Sequence, residues 1–259
     1  MADKHLFDDP DEAAYLAGYD ASAFARPSVT VDVVVATISA GAVQALLLRR
    51  PSLPHRGRWA LPGTFVAMDE SLDRCAERVL RDKAGLSGVY AEQLYTFGAP
   101  GRDPRTRVVS VAYLALVDAA RLSGLAAAAE RAAVVRLDVA WAGLEGGPVE
   151  ATAGDRRLRL AFDHARILGM AVQRLRGKLD YAPIGFELLP DTFTLRRLQE
   201  IHEGILGRAL NKDSFRRRML ATGWLVATGE HEAAVAYRPA ELYRFVHRTD
   251  TRREERTDG

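Results

Sequence analysis

The chain has 259 residues, a formal net charge of +2, 48% hydrophobic residues and 27% charged residues, an ordinary globular composition with length for one large or two modest cored domains. So small a net charge excludes a chain-wide nucleic-acid surface, so any such surface must be local, and no run of 18 apolar residues offers a transmembrane helix. The single cysteine, Cys75, excludes an internal disulfide or a cysteine metal knuckle and fits a cytoplasmic chain.

Residues 1–26 are polar, show no apolar signal run, and are expected to form a partly disordered arm. The β-branched run 29–38 predicts a buried strand, and 42–50, after Gly41, its hairpin partner. Residues 51–58 form a loop, and 59–66 a short strand holding the Leu61-Pro62-Gly63 turn. Ser71 or Asp69 can cap a helix running to Ala84 and closed by Gly85. Its apolar face is Leu72, Cys75, Val79, Leu80 and Leu86. Strands are expected at 89–97 and 107–117, around a loop carrying Arg102, Asp103 and Arg105. Residues 119–133 are alanine-rich, a helix or loose insertion. A strand follows at 134–141, then a Gly-rich loop to 155 and a short apolar stretch at 158–162. The helical spacing of Ile167, Leu168, Met170, Ala171, Leu175 and Leu179 predicts a helix over 163–181. Many strands with few helices fit an α+β sandwich rather than a doubly wound sheet. The pattern changes after this stretch, giving a first domain at 27–162, a second at 163–247 and a disordered tail at 248–259.

In the second domain Thr192 or Thr194 can cap a helix striped by Leu195, Leu198, Ile201, Ile205 and Leu206. Asn211 or Asp213 can cap a second, with Phe215, Met219 and Leu220 inward and Gly223 as its stop. A hairpin of 224–228 with 241–246 follows. Helix, helix and hairpin make a winged helix-turn-helix. Between Arg196 and Arg218 stand seven cations against three acids. Consecutive residues step about 100° around a helix, so Arg216, Arg217 and Arg218 send at least one guanidinium outward to phosphates or base edges. Asn211, Lys212, Ser214 and, in the wing, Arg238 complete the candidate DNA-binding set.

The stretch 61–86, with its Leu-Pro-Gly lead-in, runs from a glycine turn into an amphipathic helix that ends at a glycine. It resembles the Nudix box, and the resemblance implies a helix whose acids bind Mg²⁺ with a diphosphate. Arg78, Gly85 and Leu86 stand where that box has arginine, glycine and an aliphatic; Glu70 takes its first glutamate and Thr64 its first glycine. The other acidic positions fall on Val79, Asp82 and Lys83, three and four apart and so expected on one helical face. Mg²⁺ requires oxygen ligands, which Val79 and Lys83 do not provide. The box therefore reads as a kept scaffold with a lost catalyst and doubtful Mg²⁺ binding.

A degenerate box followed by a winged helix ending in Arg238-Pro239-Ala240-Glu241-Leu242-Tyr243-Arg244-Phe245 is similar to the Nudix-related transcriptional regulators, the NrtR family. The resemblance implies a Nudix-like α/β/α sandwich that senses ADP-ribose or a related nucleotide, joined to a winged helix. It also implies repression of NAD-biosynthesis genes by a homodimer on a palindromic double-stranded operator, without a required cofactor or a membrane partner. For such a ligand Arg49, Arg58, Arg102 and Arg105 offer guanidinium forks, Trp59, Phe65 and Phe97 aromatic faces, and Asp103 a carboxylate. His55 and His164 have no metal-like spacing and read as structural. Competing readings are an active ADP-ribose or NADH pyrophosphatase using Glu70 and Asp82, a regulator responding to a sugar metabolite, and a protein-binding adaptor.

Overall fold

Alternation along one strand sets the architecture. In β1 (Ser28–Ser39), Val31, Val33 and Val35 belong to one buried cluster and Val34, Ala36 and Ile38 to another, because successive strand residues point to opposite faces. The strand is buried on both sides, as its unbroken β-branched run requires. The computed structural model describes residues 10–127, 130–179, 181–232 and 239–246.

β1 runs parallel to β6 (Val108–Leu116) and antiparallel to β2 (Ala42–Arg49) and β4 (Gly63–Phe65). With β3 (Trp59–Ala60), β5 (Tyr90–Phe97), β7 (Ala132–Asp138), β8 (Glu150–Ala153) and β9 (Arg156–Arg157) they form a nine-stranded sheet. Its order is β5-β6-β1-β2-β7-β8-β9, with β3 on β2 and β4 on β1. The single strand expected at 59–66 is thus two. The turn at Leu61–Gly63 moves the chain from β2 to β1, and the Pro62 carbonyl accepts from Val33 N at 2.8 Å. The Gly-rich stretch expected as loop holds β8, with β9 directly after it, while Leu160 makes only an isolated bridge to Trp59. The expected N-terminal arm contains a helix, α1 (Pro10–Gly18), none of whose residues is buried.

Helices α2 (Leu72–Ala84) and α3 (Ala119–Ala127) cover one face of the sheet. Ser71 caps α2, its side chain accepting from Arg74 N, and Gly85 closes it in the left-handed conformation at φ 65°, which glycine adopts without a Cβ penalty. Val79 is 1% exposed and packs on the sheet, while Asp82 and Lys83 lie on the solvent side. A valine at position 79 joins Cys75, Ala76 and Leu80 in the core, one turn before the exposed Asp82 and Lys83.

α4 (His164–Lys178) and α5 (Leu195–Leu206) cover the opposite face. Ile167, Leu168, Ala171, Val172 and Leu175 of α4, with Ile201 and Ile205 of α5, share one core with Val34 and Leu114. Fully burying each such side chain contributes roughly 1.5–3 kcal/mol before entropy. This core runs across the 162/163 boundary expected from the sequence, because the apolar stripe of α4 has the sheet as its partner.

A second core holds Phe186, Phe193, Leu195, Leu198, Phe215, Met219 and Tyr243. It joins α5 to α6 (Lys212–Ala221) and to a small sheet of β10 (Phe193–Thr194), β12 (Glu241–Phe245) and β11 (Leu225–His231), in that order. Thr194 caps α5 and Asn211 caps α6. Leu220, expected inward, is 43% exposed, since Phe215 and Met219 alone fill the inner stripe of so short a helix. Arg238 lies outside the described residues.

Candidate functional site

The lead-in to α2 and the loop after β5 enclose a cavity of about 210 Å³ with Asp32, Arg50, Phe65, Arg102, Arg105 and Phe162 in its wall. Its floor is a buried polar network. Asp32, in the middle of β1, accepts a hydrogen bond from Ser110 Oγ of β6 at 2.5 Å. Arg102 NH2 lies 3.6 Å from Asp32. The same guanidinium makes a bidentate pair with Asp163 at 3.0 and 2.7 Å, a strong, orienting geometry. His164 Nδ1 accepts from Leu61 N at 2.9 Å, which makes it the unprotonated nitrogen and turns Nε2 toward Asp32, 3.9 Å away. Burial pushes the His164 pKa down. Gly63 is required beside this network, because a Cβ there would lie 2.1 Å from Asp32 Oδ1.

The rim pairs arginines with aromatics. Arg105 lies over the ring of Phe65 at 5.5 Å and Arg50 over Phe162 at 4.9 Å. Asp103 accepts from the backbone and guanidinium of Arg105, which holds its carboxyl below the usual range. Phe65 remains 44% exposed, an aromatic face open to a flat ring. Phe162 also walls an adjoining cavity of about 550 Å³ that includes Arg58, Arg157 and Arg159.

Of the expected ligand residues, Phe65, Arg102, Asp103 and Arg105 meet in the first cavity and Arg58 lines the second. Arg49 and Trp59 line neither. They face one another across the β2–β3 pair, with Arg49 exposed and Trp59 packed on the core. Phe97 is a core residue. The sequence reading missed Asp32, Arg50 and Phe162, and took His164 as structural, as its buried bond to Leu61 N bears out. Of the three it missed, Asp32 carried a signal, a lone carboxylate in a β-branched run; the others did not.

The box helix touches the cavity through a backbone contact. Arg78 donates to the Phe65 carbonyl at 3.2 Å and pairs with Glu70. Glu70 also accepts from Ala67 N, and Arg78 with this amide brings its pKa down to about 2. Asp82 pairs with Arg81 at 2.8 Å. Among the described residues no three His, Cys, Asp or Glu side chains are gathered to hold a metal ion. The donors at the box positions do not fit Mg²⁺: one carboxylate is committed to a guanidinium, one points to solvent, and Val79 has no donor atom.

In α6, Lys212, Ser214, Arg216, Arg217 and Arg218 are all exposed. Arg218 also lies over the Phe215 ring at 5.7 Å. Asn211 Oδ1 accepts from Ser214 N at 3.0 Å, so these two residues make the helix cap. Among the described residues no helix is long and apolar enough to cross a membrane.

Residues 27–153 match the NUDIX domain model, and 185–245 match the NrtR DNA-binding winged helix domain model. Over 237 residues the chain is 38% identical to the ADPR responsive transcriptional repressor NtrR of Acinetobacter baylyi, covering 91% of this chain and 88% of that protein. The chain belongs to the NrtR family. Shewanella oneidensis NrtR, solved in complex with a 27mer DNA, superposes on this NrtR-family chain with a TM-score of 0.69 at 32% identity, over 84% of this chain and 93% of that one. The ADP-ribose pyrophosphatase of Methanocaldococcus jannaschii is 30% identical over 91 residues, 35% of this chain and 52% of that protein.

Proposed function

We propose that this NrtR-family chain is a DNA-binding transcriptional repressor of NAD-biosynthesis genes that is released by ADP-ribose and does not hydrolyse it. The observation that carries the reading is the cavity beside the box. It combines guanidinium forks with aromatic faces, the donors a diphosphate and an adenine need, while the box positions lack a set of carboxylates for Mg²⁺. The name of the Acinetobacter relative supports the effector, and the DNA complex of the Shewanella relative supports DNA as the partner.

In this reading Arg50, Arg102 and Arg105 take the diphosphate, and Phe65 or Phe162 stacks the adenine. The first cavity alone is smaller than ordinary small-molecule pockets, about 300–1,000 Å³, so the ligand extends past Phe162 toward Arg58. Arg216, Arg217, Arg218 and Lys212 contact phosphates and base edges. Two copies of the chain set the α6 helices about 34 Å apart on a palindromic operator, in the cytoplasm.

Fluorescence anisotropy on a labelled duplex from upstream of its own gene tests the reading. The protein binds the duplex, and ADP-ribose weakens that binding while pentoses do not. Equal affinity with and without ADP-ribose removes the effector. A second reading, a surviving ADP-ribose pyrophosphatase, draws on the similarity to the Methanocaldococcus enzyme. Mg²⁺-dependent AMP release abolished by Asp82→Ala would establish it.

A further inference from the structure

We propose that helix α4 transmits the effector signal: Asp163 exchanges Arg102 for the N-terminus of its own helix, and Arg176 passes the shift to α5. The proposal rests on the effector reading above and adds the residues that couple the two ends.

Asp163 occupies the N-cap position of α4, yet its side chain makes no capping hydrogen bond. Aspartate is among the favoured residues for that task. Both of its carboxylate oxygens are taken by Arg102 instead. Beside the Arg102 guanidinium, the start of α4 offers Asp163 a second partner in the Ala165 amide, since the His164 and Arg166 amides already donate to the Ala161 and Asp163 carbonyls at 3.2 and 2.9 Å. Arg102 belongs to the wall of the effector cavity. A diphosphate brings that guanidinium two negative charges where a carboxylate brings one, and each N–H that turns to it is withdrawn from Asp163. The released carboxylate faces a helix N-terminus, where negative charge is favourable. The next residue, His164, ties the same end of α4 to Leu61 in the cavity wall.

The far end of α4 is fastened to the DNA-binding half. Arg176 Nε donates to the Ile205 carbonyl in the last turn of α5 at 3.1 Å. Its NH1 donates to the carbonyls of Trp141 at 3.3 Å and Gly143 at 3.2 Å, and the guanidinium lies over the Trp141 ring at 4.8 Å. α5 packs against α6 through the second core. At 1.5 Å per residue, α4 spans roughly 20 Å from Asp163 to Arg176. A packed helix moves as a unit rather than bending continuously, so a change of partner at Asp163 reaches Ile205. A ligand shifts such an equilibrium only through its different affinity for the two arrangements; the exchange at Asp163 is that difference.

The test measures ADP-ribose affinity by calorimetry and duplex affinity by anisotropy, with and without saturating ADP-ribose, for wild type, Arg176→Gln and Asp163→Asn. In the wild type ADP-ribose weakens duplex binding roughly tenfold or more, and in R176Q by less than about twofold, although R176Q binds ADP-ribose as the wild type does. D163N keeps a capping side chain but loses the charge that holds Arg102, so it binds the duplex weakly even without ADP-ribose. R176Q with the full wild-type ratio, or D163N with wild-type duplex affinity and ratio, overturns the proposal; if R176Q does not fold, D163N decides. A wild type that binds the duplex but no ADP-ribose sinks the effector reading, whereas one that responds to ADP-ribose alongside fully responsive variants sinks the α4 route alone.

Discussion

His164 accepts the Leu61 amide proton across 103 residues of chain, at 2.9 Å and out of contact with water. This bond fixes the imidazole as neutral, and burial lowers its pKa. Unfolded histidine titrates near 6.5, so below that pH the unfolded state binds a proton that the folded state refuses. Stability contributed by His164 is present above about pH 6.5 and falls as the pH drops below it. Denaturant titrations at pH 7.5 and 5.5 should show this loss in the wild type and a smaller one in His164→Asn. Truncation to alanine strands the Leu61 amide and costs about 1–3 kcal/mol at pH 7.5, and less at pH 5.5, where the wild type has already lost the contribution of the histidine.

The docking of α5 on the sheet depends on a missing side chain. A Cβ on Gly204 would lie 2.4 Å from Ile38 Cγ2 and 3.4 Å from the backbone of Gly41. Gly204→Ala should therefore destabilise by about 1–3 kcal/mol, although alanine is the better helix former by about 1 kcal/mol. In an Ile38→Ala background the same substitution should cost clearly less. Equal costs in the two backgrounds, measured by chemical denaturation, would show that the approach is not tight.

Glu70 carries an acid signature. Arg78 and the Ala67 amide bring its pKa from about 4.5 to about 2. A depressed carboxylate contributes stability above the unfolded pKa and loses it as the pH falls toward the folded one. Thermal unfolding between pH 5 and 2 should fall less steeply for Glu70→Gln than for wild type; parallel curves would mean that the Arg78 pair is not formed in solution.

Three exposed guanidiniums on α6 predict a salt effect. Each phosphate contact contributes about 0.9 to the slope of log K against log salt. Replacing Arg216, Arg217 and Arg218 by alanine should lower duplex affinity and reduce that slope by roughly 2–3. An unchanged slope would move the DNA surface off α6.

The helices were legible because their signals are local. Ser71 and Gly85 bracket α2, Thr194 and Gly207 bracket α5, and Asn211 opens α6, each beside apolar residues at helical spacing. The cavity was legible only in part. Arg102, Asp103, Arg105 and Phe65 stand in two short stretches and were found together. Asp32, Arg50, Phe162 and His164 come from distant strands and loops, and sequence spacing says nothing about residues that only the sheet brings together. The burial of Val79 was legible from the apolar face it shares with Cys75 and Leu80. The role of α4 in the sandwich was not legible. Its apolar stripe was visible, but not which core it would join.

The most direct measurement follows a labelled upstream duplex bound to the protein by anisotropy for several hours after ADP-ribose and Mg²⁺ are added together. An effector that is sensed and not cut gives a prompt fall in anisotropy that then stays level. A signal that never falls contradicts the sensor, and one that falls and climbs back as AMP accumulates contradicts the loss of hydrolysis.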